Sequence, residues 1–172
     1  VEAKINNGCW ASKKIALNEA FRTNDFCILL EDDIVFAKDA LLFFENAIKL
    51  SQEYPQFHVI CAHSHRLESF EGRFDQNILN SLTLKLKNRP SCWGSSIIAN
   101  WANPWGWGIL KSHWETIKEQ WSGHDAELSK ILIEREGFVI QSLITRATHI
   151  GTISSHGEKY IQEEHSLHYF TS

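Results

Sequence analysis

Methionine is absent from all 172 residues, the first position included. With the abrupt opening on Val1-Glu2-Ala3-Lys4, this leads us to expect a fragment or an excised domain. No apolar run approaches the roughly 18 residues that span a bilayer, so no transmembrane segment is expected, and no leader pattern opens the chain. Cys9, Cys27, Cys61 and Cys92 are scattered without CxxC spacing, which argues against a zinc knuckle and against a disulfide framework. Positive charge is not in excess either. The net charge of −4 with neutral histidines gives no basis for a general nucleic-acid grip.

What remains is the composition of a soluble globular domain, 43% hydrophobic and 22% charged, and long enough for one sizeable core. Ser12 to Phe21 reads as a short amphipathic helix, with Ser12 as N-cap and Ile15, Ala16, Glu19 and Ala20 at helical spacing. Phe26 to Leu30 is a fully apolar run of the kind found in buried parallel strands. Lys38 to Gln52 is the clearest helix, with an apolar face of Leu41, Leu42, Phe44, Ala47, Ile48 and Leu50, and Pro55 is the stop beyond its end. Phe57 to Ala62 is a second apolar strand, completing the helix–strand alternation of an α/β sheet.

Arg66 to Pro90 reads as loops with a helix or edge strand around Ile78 to Leu86, and Ser91 to Gly108 is too irregular to assign. Ile109 to Gln120 and Ala126 to Glu136 are helical, the second ending at Gly137 as its C′ residue. Phe138 to Gln141 is a short strand, and Leu143 to Thr145 is a candidate for another. Gly151 to His156 reads as a loop, and the tail from Tyr160 as partly helical.

The most informative motif is Glu31-Asp32-Asp33, set directly after the apolar Phe26–Leu30 run. Three adjacent carboxylates are costly to desolvate without a positive partner. The end of a buried strand is where open α/β sheets hold ligands. A hard divalent cation carrying a phosphorylated ligand answers both conditions, with Asp33 as the direct ligand. A solvated turn is the plainer alternative, although Lys38-Asp39 can start the next helix without help from the triplet.

Three further motifs each admit two readings. Trp105-Gly106-Trp107-Gly108 is either an aromatic plug in the core or a wall on which apolar sugar faces stack. Asp125, in Gly123-His124-Asp125, is either an N-cap carboxylate or a general base presented at a helix start. Ser154-Ser155-His156-Gly157 is either a surface loop or a source of an imidazole ligand for Mn²⁺ beside carboxylates. His63 and His65, two apart after a strand, can line the same cleft.

In this order the Glu-Asp-Asp strand, the Gly-Trp before a helix, the Asp at a helix start and the Ser-His-Gly loop resemble GT-A glycosyltransferases. The likeness is to the N-acetylglucosaminyltransferase I family and to bacterial family A transferases with the same metal motif. It runs from Ala16-Leu17-Asn18 through Phe43-Phe44, from Trp105 through Trp121, and from Ile144-Thr145-Arg146 through His156-Gly157. Asn7-Gly8 followed by Asn18 is similar to a pattern that precedes the metal strand in family A transferases.

The resemblance implies a GT-A fold, a mixed sheet flanked by helices, here as a single partial catalytic domain over residues 1–172. The N-terminal βαβ part that holds the nucleoside in family members is expected to be lacking from these residues. It further implies an inverting transfer of a sugar from a nucleotide-diphosphate donor, such as a UDP-sugar, to a hydroxyl of a glycan or other acceptor. Asp33 and His156 would hold Mn²⁺ or Mg²⁺. Glu31, Asp32, Trp107 and Ser155 would contact the substrates, and Asp125 would be the catalytic base. Two other classes stay open: a metal-dependent phosphohydrolase built on the same carboxylates, and a non-catalytic remnant that binds sugar or nucleotide.

Overall fold

The structure is a computed structural model that describes residues 7–64, 96–99 and 101–150. The chain order is α1 (Gly8–Ala20), β1 (Phe26–Leu29), β2 (Ile34–Phe36), α2 (Ala40–Glu53), β3 (Phe57–Cys61), β4 (Ser96–Ala99), β5 (Trp107–Leu110), α3 (Lys111–Ile117), α4 (Asp125–Glu134), β6 (Phe138–Ser142) and β7 (Ala147–His149). The expected regions around Ile78–Leu86, Gly151–His156 and the tail from Tyr160 lie outside the described residues.

Five strands form one mixed sheet in the order β1-β5-β3-β6-β4, and β2 pairs with β7 in a separate ribbon. β3 and β6 run parallel, while β5 is antiparallel to both β1 and β3. It follows that β1, β3 and β6 all point the same way, and that their C-terminal ends share one edge of the sheet with the start of β5. The α/β class with helices flanking a mixed sheet is thus as expected. The setting of β1 is not: it ends at Leu29, is half-buried along its length, and has an antiparallel partner. Its apolar residues split between both faces, Cys27 and Leu29 to one core cluster and Phe26 and Ile28 to the other.

The cores follow from strand alternation. Val59, Cys61, Trp107, Ile109 and Val139 meet Leu17 and Phe21 of the α1 region, Trp114 and Ile117 of α3, and Leu128 and Leu132 of α4. Ile60, Ala62 and Ile140 meet Phe43, Phe44 and Ala47 of α2 on the opposite face. Gly108 sits where a Cβ would collide with the Phe26 ring, so the Trp-Gly alternation of β5 puts bulk on one face and leaves room on the other. Periodicity alone does not announce such a strand, and β5 replaces the start of the expected Ile109–Gln120 helix.

The helices also turn different faces inward than their patterns suggest. α1 starts four residues before Ser12 and buries Lys13 and Leu17, whereas Ile15 is 47% exposed. α2 buries Ala40, Phe43, Phe44, Ala47 and Ser51, leaving Leu41, Leu42 and Leu50 exposed. α4 ends in a Schellman arrangement: Glu136 N donates to Ile133 O and Gly137 N to Leu132 O. The left-handed C′ residue is therefore Glu136, at φ 53°, and Gly137 comes after it, packed against His58 where a Cβ would be crowded. The last strand among the described residues is Ala147–His149 rather than Leu143–Thr145, its register set by pairing with β2.

Candidate functional site

Residues at the shared sheet edge come from four segments. Glu31-Asp32-Asp33 follows β1, His63 follows β3, Trp105 precedes β5, and Thr145 to His149 follow β6. The end of the parallel strands is the position at which open α/β sheets expose loops to ligands.

Glu31 and Asp125 are brought together by Lys13 of α1. Its ammonium lies 2.6 Å from Glu31 Oε1 and 2.9 Å from Asp125 Oδ1, with the lysine side chain 8% exposed and the carboxylates 30% and 36% exposed. Burial alone pushes the Lys13 pKa down. The hydrogen bonds and charges of Glu31 and Asp125 outweigh it, and the net result is a pKa above the ordinary 10.5. A buried ammonium with two carboxylates stays charged and holds both in place.

The N-cap reading of Asp125 is corrected by its neighbour. His124, not Asp125, is the N-cap of α4: its Nδ1 accepts from Ala126 N at 3.2 Å. Asp125 is the first residue of the helix and turns its carboxylate to Lys13. Trp121 Nε1 donates to His124 O at 2.8 Å, which ties the preceding loop to the tryptophan core.

Asp33 has a histidine partner that sequence reasoning passed over. β2–β7 pairing places Ile34 opposite His149. Ile150 N donates to Asp33 O, and His149 Nε2 lies 2.8 Å from Asp33 Oδ2. The other oxygen, Asp33 Oδ1, is buried without a hydrogen-bond partner, an expensive condition for a carboxylate. Among the described residues no three His, Cys, Asp or Glu side chains gather as a metal group, so Asp33 and His149 supply two donors there. Ser155 and His156 lie outside the described residues. Asp32 is exposed.

Trp107 is where the expectation of a sugar wall fails. Its ring is 1% exposed and meets Trp121 edge-on at 5.6 Å, and Trp121 in turn meets Trp114 edge-on at 5.7 Å. An indole buried this deeply cannot offer a face to a sugar. Trp105 is the tryptophan at the sheet edge: half-buried, with His63 edge-on at 4.6 Å and His149 at 5.2 Å. Its main-chain N donates to Asn103 Oδ1, which fixes the turn that carries it. His63 is buried, and its Nδ1 lies 2.8 Å from Ala147 O, so that nitrogen carries the proton, because a carbonyl only accepts.

Lys13 and His149 are the residues that sequence reasoning missed, and within the Trp105–Gly108 motif it is Trp105, not Trp107, that reaches the sheet edge. Lys13 alone left a signal, a charged side chain on the stripe Lys13–Leu17–Phe21 that the core uses. No protein-family model matches the chain, and no curated protein matches its sequence. Among the described residues no helix is long and apolar enough to cross a membrane.

Proposed function

We propose that this chain is part of the catalytic domain of a GT-A glycosyltransferase, moving a sugar from a nucleotide-diphosphate donor to an acceptor hydroxyl with inversion. The observation that carries the reading is the meeting of Glu31 and Asp125 on one ammonium. It joins the motif after β1 to the start of α4 at the ligand-binding end of the sheet, as a donor-contacting acid and a base in one cleft require. The mixed sheet flanked by helices is compatible with the same reading.

Asp33 takes the metal-holding role, joined by His149. The orphaned Asp33 Oδ1 and the oxygen-plus-imidazole donor set fit Mn²⁺, or Mg²⁺ through the carboxylate. His156 remains in the role that the resemblance gives it. A bound cation would supply Lewis-acid neutralisation of the departing diphosphate. The chain's own groups do the remainder. Asp125, held through Oδ1 by Lys13, accepts the acceptor hydroxyl proton as that oxygen bonds to the anomeric carbon. The sugar–diphosphate bond breaks on the opposite side, its electron pair leaving with the diphosphate. A base so placed contributes about 10²–10⁴-fold.

Calorimetry of UDP binding to the full protein tests this reading. Mn²⁺ should strengthen binding, Asp33→Ala should remove that dependence, and Asp125→Asn should spare binding while abolishing transfer. Equal UDP affinity with Mn²⁺ and with a chelator would overturn it. Metal-dependent hydrolysis of simple phosphate esters without sugar transfer would favour the phosphohydrolase instead.

A further inference from the structure

Trp10 is the least expected residue beside His124, the neighbour of Asp125. It lies one turn before Lys13 on the same side of α1, yet its side chain is 49% exposed. A large indole left half in solvent is held there by its surroundings. Its ring meets the His124 ring edge-on, with centroids 4.6 Å apart and planes at 63°. His124 is itself pinned, its Nδ1 accepting from Ala126 N and its carbonyl accepting from Trp121 Nε1. The backbone of Trp10 passes so close to Gly123, at φ 106°, that any Cβ there would collide with the Trp10 carbonyl. The contact that docks α1 against this loop is thus main-chain. The indole adds its own edge-on contact with His124 to it.

Asp125 follows His124 in the chain and is held by Lys13, one turn from Trp10 on α1; its Oδ1 is taken by that lysine and its Oδ2 has no hydrogen-bond partner among the described residues. An apolar aromatic face beside a one-sided carboxylate is the arrangement that binds a pyranose: C–H groups stack on the indole, and a hydroxyl points at the acid. We propose that Trp10, His124 and Asp125 form the acceptor subsite, and that the acceptor is a sugar, stacked on Trp10 with the reacting hydroxyl aimed at Asp125 Oδ2. The proposal deepens the glycosyltransferase reading and rests on it for the word acceptor; the sugar-binding claim stands on the geometry alone.

The test uses the full protein with ¹⁵N-labelled indoles. Methyl β-glycosides of glucose, galactose, N-acetylglucosamine and mannose serve as probes, because they carry no aromatic group that would stack by itself. At least one of them should shift the Trp10 indole resonance, assigned by its loss in Trp10→Phe, and leave those of Trp114 and Trp121 in place. Trp10→Ala should weaken that glycoside about tenfold, with Trp10→Phe in between, while UDP affinity in the presence of Mg²⁺ stays unchanged. Trp10→Ala gives up the ring contact with His124 and should unfold below wild type, whereas Trp10→Phe keeps a ring there, so glycoside affinity is compared at a temperature at which both variants are folded.

A Trp10 resonance that no glycoside moves, or an affinity equal in Trp10→Ala and wild type, overturns the subsite and leaves the UDP–metal result untouched. Glycoside binding at Trp10 without any UDP–metal binding keeps the sugar site and removes the transferase reading.

Discussion

Replacing Lys13 with methionine removes an ammonium, keeps most of its aliphatic stem, and leaves Glu31 and Asp125 facing each other without a cation. Two charge-assisted hydrogen bonds are lost, at 2.6 and 2.9 Å. Each such bond contributes about 1.5–3 kcal/mol. Two effects offset the loss: the variant no longer buries an ammonium, and water reaches both carboxylates, which are about one-third exposed. The expected net destabilisation at pH 7 is about 2 kcal/mol.

Its pH dependence is more diagnostic. The folded-state pKa of Lys13 lies above 10.5, so the folded protein holds this proton more tightly than the unfolded chain. The stabilisation is fully present below pH 10.5 and is lost as pH rises through the higher folded value. Urea unfolding of wild type and Lys13→Met, measured in parallel at several pH values from about 7 to 11.5, reads the difference directly, since other titrating groups cancel. A constant gap up to about pH 10 that shrinks beyond it is expected. No gap at pH 7, or one of the same size at the alkaline end, would refute the clamp.

At the other end of β3, His58 and His113 stack at 4.5 Å, and burial first and His58 second push the His113 pKa down to about 4. Between pH 6.5 and about 4 the unfolded chain takes up a proton that folded His113 refuses, so stability falls across that window as the solution is acidified and levels below it. Allowing for the partial exposure of the ring, the His113→Phe variant should recover about 1–2 kcal/mol of that acid loss; an unchanged slope between pH 6.5 and 4 would contradict this. Trp107→Ala should cost about 3–5 kcal/mol through a core cavity. Its more telling effect is on ligands: a Trp107→Phe variant that remains folded should bind the methyl glycosides as wild type does, and selective loss of sugar affinity would return Trp107 to the site.

Much of the α/β rhythm was legible because periodicity is a local property. β3, β6 and the bodies of α2 and α4 announce themselves by apolar spacing and by stops such as Pro55. β5 did not, because half of its four residues are a tryptophan and a glycine suited to their neighbours: Trp107 to Trp121, Gly108 to Phe26. The inward faces of α1 and α2 were misread for a related reason. A helix with apolar residues on more than one side does not itself choose which side meets the sheet. At the C-terminus of α4, a glycine in the right place suggested the left-handed residue, but the hydrogen bonds put it one position earlier, at Glu136.

The sequence by itself determined the chemical inventory: a carboxylate triplet after an apolar strand, an aspartate opening a helix, a tryptophan-rich segment and no helix-length apolar run. Only the tertiary structure decided which of these groups meet. Lys13 with Glu31 and Asp125, Asp33 with His149, and Trp10 with His124 each depend on strand register or helix docking, and most of these pairs are far apart in sequence. Residue type sets what a side chain can do. Its partner is set by how the backbone returns, and that geometry is a property of the packed chain as a whole.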